Sequence, residues 1–206
     1  MSKRIYVIDP GHGGIDPKTG KYVTSGKHSP VWSDGSIYYE GVGNREIAKL
    51  VGDKLKAKGI RFKYTVDPSD HTDIGLTARA KVANNQMVNG PVVLISIHSN
   101  GHKDRSAHGY EVYTTPGKTN SDQLATIWFE EHSKEFKELK PRPDNSDGDP
   151  DKEEHFTVIT ATKCPSFLIE TMFHSNEKEC KILMSKEGKE RIANVIVRTI
   201  ERIEKL

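Results

Sequence analysis

Apolar positions along the chain follow two alternating rhythms. "RIYVID" (4–9) carries an unbroken apolar run, Ile5, Tyr6, Val7 and Ile8, that stops at Asp9, Pro10 and a cluster of glycines, which predicts a core strand opening into a loop. "GNREIAKLVGDKLKAKG" (43–59) then sets Ile47, Leu50, Val51 and Leu55 at helical spacing and ends at Gly59, a helix stop. "IRFKYTV" (60–66) alternates apolar and charged residues as a strand near a sheet edge does. The helical rhythm returns in "IGLTARAKVANNQMVNG" (74–90), and "PVVLISIHSN" (91–100) is a second apolar strand. "GYEVYTT" (109–115) reads as a strand and "SDQLATIWFEEHSKEF" (121–136) as a helix capped by Asn120 or Ser121. "SFLIETMF" (166–173) is a third core strand. The chain closes on an amphipathic helix with Ile192, Val195, Ile196, Ile200 and Ile203 on one face. Strands alternating with helices predict a single α/β domain over 1–206, a twisted and mostly parallel sheet of about six strands flanked by helices. Two stretches break the rhythm, 15–39 and 140–155; both are rich in Gly, Pro, Ser and Asp and predict surface excursions able to build a groove.

Composition narrows the classes without choosing one. The chain has 206 residues, 34% apolar and 29% charged, with a net charge of +2, which fits one ordinary domain and gives no field arguing for nucleic acid. No apolar run approaches the roughly 20 residues needed to span a bilayer. The N-terminus passes directly into a strand, with no long apolar core or small-residue cleavage site, so no classical export signal is expected. Cys164 and Cys180 lack the close spacing of a redox or metal motif and read as isolated thiols.

Candidate chemistry collects at the strand ends. In open α/β sheets, ligands bind outside the carboxyl ends of the strands, and three core strands here end with His12, His98 and Glu170. Glu40, in "YYEGVGN", lies just before the first long helix, on a connection that passes the same edge. Two imidazoles and one carboxylate leave one position of a tetrahedral zinc ion open, as in catalytic rather than structural sites. Glu170, costly to place in an apolar strand without a purpose, is the candidate general base, and Asp9 or a backbone carbonyl is a candidate to orient His12.

At these residues the chain resembles a known family. "IDPGHGG", the pattern E-x-x-x-N-x-x-I-A-x-L from Glu40 to Leu50, L-x-x-R-x-x-x-A-N from Leu76 to Asn84, "SIHSN" and "FLIETMFHSN" look like the zinc-dependent N-acetylmuramoyl-L-alanine amidases of the amidase-3 type, in the family's order and over nearly the whole chain. The resemblance implies hydrolysis of the amide between N-acetylmuramic acid and L-alanine in peptidoglycan, with one Zn2+ held by His12, Glu40 and His98 and with Glu170 as catalytic residue. A monomeric, single-domain phage endolysin, made in the host cytoplasm and acting on the cell wall, is the expectation. The catalytic domain of a bacterial autolysin, a zinc carboxypeptidase acting on wall peptides, and a catalytically silent wall-binding module are the alternatives.

Other residues read more blandly. His28, His102 and His108 are expected in solvated loops, and His174 stands where the family often carries an apolar residue. Arg79 reads as a packing or salt-bridge residue, and Arg142 as a solvated loop arginine with a peptide-stem carboxylate as its alternative partner. "GGIDPKTGKY" has the wrong glycine spacing for a phosphate loop, and no GxSxG elbow is present, which removes nucleotide binding and the obvious serine nucleophile.

Overall fold

The structure is a computed structural model and describes residues 2–206. Its strands are β1 (Ile5–Pro10), β2 (Phe62–Tyr64), β3 (Val92–Asn100), β4 (Glu111–Thr114), β5 (Lys152–Glu153) and β6 (Ser166–Phe173). Its α-helices are α1 (Glu40–Ala57), α2 (Leu76–Gln86), α3 (Asn120–Glu135), α4 (Thr157–Thr160), α5 (Glu177–Met184) and α6 (Lys186–Ile203). The sheet runs β2-β1-β3-β6-β4-β5, every neighbouring pair parallel except β4 with β6. This is the mostly parallel six-stranded α/β sheet that the alternation of rhythms predicts.

Both faces are covered, which is why the central strands are apolar without alternation. Tyr6 and Ile8 of β1 point into the larger core with Ile47 and Val51 of α1, Trp128 of α3 and Ile196 of α6. Ile5 and Val7, one residue out of phase, point to the smaller core with Ala83 of α2 and Val158 of α4. The chain leaves β1 for β2 on one side and returns to β3 on the other, so β1 and β3 flank a switch point where their carboxyl ends diverge. His12 and His98 stand there.

Several local expectations change in three dimensions. Glu40 is the first residue of α1 rather than a residue before it. Thr119, not Asn120 or Ser121, caps α3: its hydroxyl accepts from Ser121 N while Asp122 accepts from Thr119 N, a reciprocal capping box. The 140–155 excursion contains β5, two residues long and too short to show a period, and α4 and α5 were not anticipated for the same reason.

Candidate active site

The loop after β1 brings His12 to the sheet edge in a conformation that most residues avoid. His12 has φ of 66°, in the left-handed region, where a side chain other than glycine is strained. Its carbonyl accepts from Arg45 Nη1 at 2.6 Å and from Arg79 Nη2 at 3.0 Å, so two buried guanidiniums hold the strained turn. Arg45 was not singled out from the sequence, because an arginine in a helix ordinarily reads as solvated. Glycine is required on both sides of this turn: a Cβ at Gly11 would stand 2.2 Å from the His98 ring, and one at Gly41 would stand 2.0 Å from the Gly13 carbonyl oxygen. The first turn of α1 can therefore press against the His12 loop and deliver Glu40.

The three groups converge. Glu40 Oε1 lies 3.2 Å from His12 Nε2 and 3.1 Å from His98 Nδ1, and one ligating atom from each residue falls within 4.8 Å of the others. Donors bound at about 2.0–2.2 Å to one tetrahedral ion stand about 3.4 Å apart, close to the two separations from Glu40, and the N,N,O donor set has the chemistry that suits zinc. His12 Nε2 is buried, and the only polar atom near it among the described residues is Glu40 Oε1, in an arrangement that does not meet hydrogen-bond geometry. Burial by itself would raise the Glu40 carboxyl, but His12 and His98 hold it well below the ordinary range, and Ser99 N donates to the same oxygen at 3.2 Å.

Glu170 faces His98 across the β3/β6 pairing. Its Oε2 is buried with no partner among the described residues, and burial, reinforced by Glu40 and Glu111 and opposed by Lys27, pushes its carboxyl well above the ordinary range. Such a group accepts a proton readily. Glu40 and Glu170 line one open groove of about 540 Å³, with Lys27, His28 and His174 from the surrounding loops. His28 is exposed but belongs to this groove rather than to open surface. His174 is buried, with Nδ1 2.9 Å from the Ser99 carbonyl, and burial lowers its pKa.

Two supporting assignments are corrected. Asp9 does not orient His12: it accepts from Arg79 Nη1 at 2.8 Å, Thr65 Oγ1 at 2.5 Å and Ser96 Oγ at 2.5 Å. Arg142 is not a solvated loop residue; its Nε donates to Glu111 Oε1 at 2.5 Å. Glu111, unremarked in the sequence, lies opposite Glu170 across the antiparallel seam and also accepts from Lys152, Tyr113 and Asn100. Arg79 does form the expected salt bridge, with Asp9 and Asp73.

Comparison with known proteins agrees with this geometry. The family model described as "Amidase_3: N-acetylmuramoyl-L-alanine amidase" matches residues 6–202. The N-acetylmuramoyl-L-alanine amidase LytC of Bacillus subtilis (strain 168) is 30% identical over 194 residues, covering 92% of this chain and 33% of LytC, so the chain spans about a third of that relative. Among solved structures, the catalytic domain of CwlV, an N-acetylmuramoyl-L-alanine amidase from Bacillus (Paenibacillus) polymyxa var. colistinus, superposes with a TM-score of 0.74 at 26% identity over 97% of each chain. The N-acetylmuramoyl-L-alanine amidase AmiC2 of Nostoc punctiforme shares the fold, with a TM-score of 0.76 at 24% identity over 99% of this chain and 98% of its own.

Proposed function

The chain belongs to the Amidase_3 family of N-acetylmuramoyl-L-alanine amidases, and on that premise we propose that it is one catalytic domain over 1–206 that hydrolyses the amide joining N-acetylmuramic acid to L-alanine in peptidoglycan. His12, Glu40 and His98 hold one zinc ion, and Glu170 carries the proton. The observation that supports this reading most directly is the convergence of three ligating side chains beside a carboxylate with a donor-free oxygen.

An unactivated amide needs a stronger nucleophile than free water and a stabilised carbonyl oxygen. When bound, zinc supplies a Lewis acid that acidifies water and polarises the scissile carbonyl. Glu170 takes the proton from the attacking water and passes it to the departing amine of L-alanine, a role for which its donor-free Oε2 beside the cluster is placed. Ser99 N keeps Glu40 oriented, and the arginine-clamped turn fixes the His12 ring. The groove lets a glycan strand and its stem peptide approach from the loop side.

The proposal extends to a monomeric, endolysin-like lytic protein synthesised in a host cytoplasm; no helix among the described residues is long and apolar enough to cross a membrane. Sedimentation at the mass of one chain is the expected solution behaviour. The deciding experiment is digestion of purified peptidoglycan by zinc-loaded and chelator-stripped protein, with mass spectrometry of the fragments. Stem peptides with a free L-alanine amine, formed only with metal, are expected. Release of a terminal amino acid would instead identify a carboxypeptidase, and intact wall under both conditions would overturn the hydrolytic reading.

A further inference from the structure

The groove beside the cluster carries a one-sided charge that the proposed hydrolysis does not use. Lys27, Lys103 and Arg105 line it, and the only carboxylates that line it are Glu40 and Glu170, the two assigned to metal and proton. The chain as a whole is nearly balanced, 31 basic against 29 acidic residues, so the excess is local to the groove. On α6, by contrast, Arg191, Arg198 and Arg202 are all tied to glutamates of α3, whereas the three groove cations make no ion pair among the described residues. An exposed cation on a loose loop would mean little, but the backbone that carries these is fastened. Glu40 N donates to the Lys27 carbonyl at 3.0 Å and Ser29 N to the Tyr38 carbonyl at 2.8 Å, which ties the 15–39 excursion to the first turn of α1. His102 N donates to Ser175 Oγ at 3.0 Å and Asn176 Nδ2 to the Arg105 carbonyl at 3.1 Å, which ties the loop after β3 to the end of β6. Two separate segments thus deliver cations to one groove, and the Lys27 charge reaches Glu170 and His174 within it.

We propose that Lys27, Lys103 and Arg105 select an anionic stem peptide, binding the free α-carboxylate of the residue that follows L-alanine in preference to its amidated form. The proposal rests on the amidase reading above and names the substrate class within it. In peptidoglycan that residue is a D-glutamate linked through its side-chain carboxyl, so its α-carboxylate, where not amidated, is the first negative charge along the peptide from the scissile amide. A guanidinium meets a carboxylate with two parallel N–H donors, and the ammonium groups add point charges that need no fixed approach. A carboxamide offers neither the charge nor a second acceptor oxygen. Because the cations stand at the solvent-exposed rim, the selection is sensitive to salt.

The test uses two soluble muramoyl peptides that differ only in that group, carboxylate or carboxamide. Cleavage is followed with the zinc-loaded wild type, and binding by fluorescence anisotropy with zinc-loaded Glu170→Gln, which leaves the peptides intact. The wild type is expected to favour the carboxylate by about 10-fold in kcat/KM, through KM rather than kcat, and the ratio is expected to fall towards unity at about 1 M salt. Lys27→Met and Arg105→Met are each expected to lower the ratio by about 3-fold, in cleavage and in binding. Lys163→Met, which removes a cation before β6 at the far edge of the sheet, is expected to keep it. All of these side chains are exposed, so the variants keep the fold. Equal treatment of the two peptides by the wild type, or a wild-type ratio in the Lys27→Met, Arg105→Met double variant, would overturn the proposal. Binding that favours the carboxylate without cleavage of either peptide would support the selection and overturn the amidase reading alone.

Discussion

Asp9 on β1 and Glu170 on β6 are both carboxylates set into central strands of one sheet, and their surroundings are opposite. Asp9 is saturated: Arg79, Thr65 and Ser96 all donate to it, and although burial pulls the other way they hold its carboxyl below the ordinary range. Glu170 keeps an oxygen without a donor, and burial drives its carboxyl up. Glu111, one strand further along, is saturated like Asp9 by Lys152, Tyr113, Arg142 and Asn100. The contrast separates two uses of a buried acid. Where every lone pair is satisfied the group ties elements together, and where one is left open the group is kept for a proton.

The contrast is tested most severely at Glu170. Glu170→Gln is expected to lower turnover by about 10²–10⁴-fold while zinc stoichiometry stays near that of the wild type. Near-normal turnover in a wall-digestion assay would place Glu170 with Asp9 among the structural acids. Asp9→Ala is expected to destabilise the chain by about 1–3 kcal/mol in urea unfolding, because Arg79 Nη1, Thr65 Oγ1 and Ser96 Oγ lose a shared buried acceptor while Arg79 keeps Asp73. Adding Arg79→Met should recover part of that loss, and a cost well under 1 kcal/mol for Asp9→Ala alone would show that the pair is not a tie.

The two acids also respond to pH with opposite signs. Asp9, depressed in the folded chain, contributes stability that is complete above its unfolded pKa and is lost as pH falls through the lower folded value. Glu170, raised in the folded chain, contributes stability that is complete below its unfolded pKa. Between that value and the raised one the native state keeps a proton that the unfolded chain has released, so metal-free stability falls by about 1.4 kcal/mol per pH unit. Urea midpoints of metal-free wild type and Glu170→Gln, taken from pH 5 upward, should diverge in favour of the variant; parallel curves would mean that Glu170 is ordinarily solvated. The smallest effect is expected from Arg142→Ala. Glu111 keeps three other donors and the arginine is partly exposed, so a stability loss of at most about 1 kcal/mol and a few-fold loss of turnover are expected.

Much of the scaffold was legible in the amino-acid order. The apolar runs of β1, β3 and β6 and the helical spacing in α1 and α6 are local signals, spelled by residues two, three or four apart. His12 does follow the end of β1, whereas His98 and Glu170, expected at strand ends, lie within β3 and β6, two and three residues before their last positions. What escaped was the short and the irregular: β5 and α4 are too brief for a period, and the Thr119 cap depends on which side chain turns back to the helix.

By itself, then, the sequence determined the alternation of strands and helices, the apolar faces of the central elements, and the few residue types able to do chemistry at the sheet edge, because each is encoded within a few neighbouring positions. Tertiary structure decided who partners whom. Glu40 meets His98 across 58 positions, Asp9 meets Arg79 across 70, and Arg142 reaches Glu111 across 31. Sheet register and the crossing of strand order at β1 and β3 set those encounters, and register is a property of packed strands rather than of any one of them. The same packing decided which carboxylate would be saturated and which left open, since a buried acid's state depends on the donors that folding brings to it.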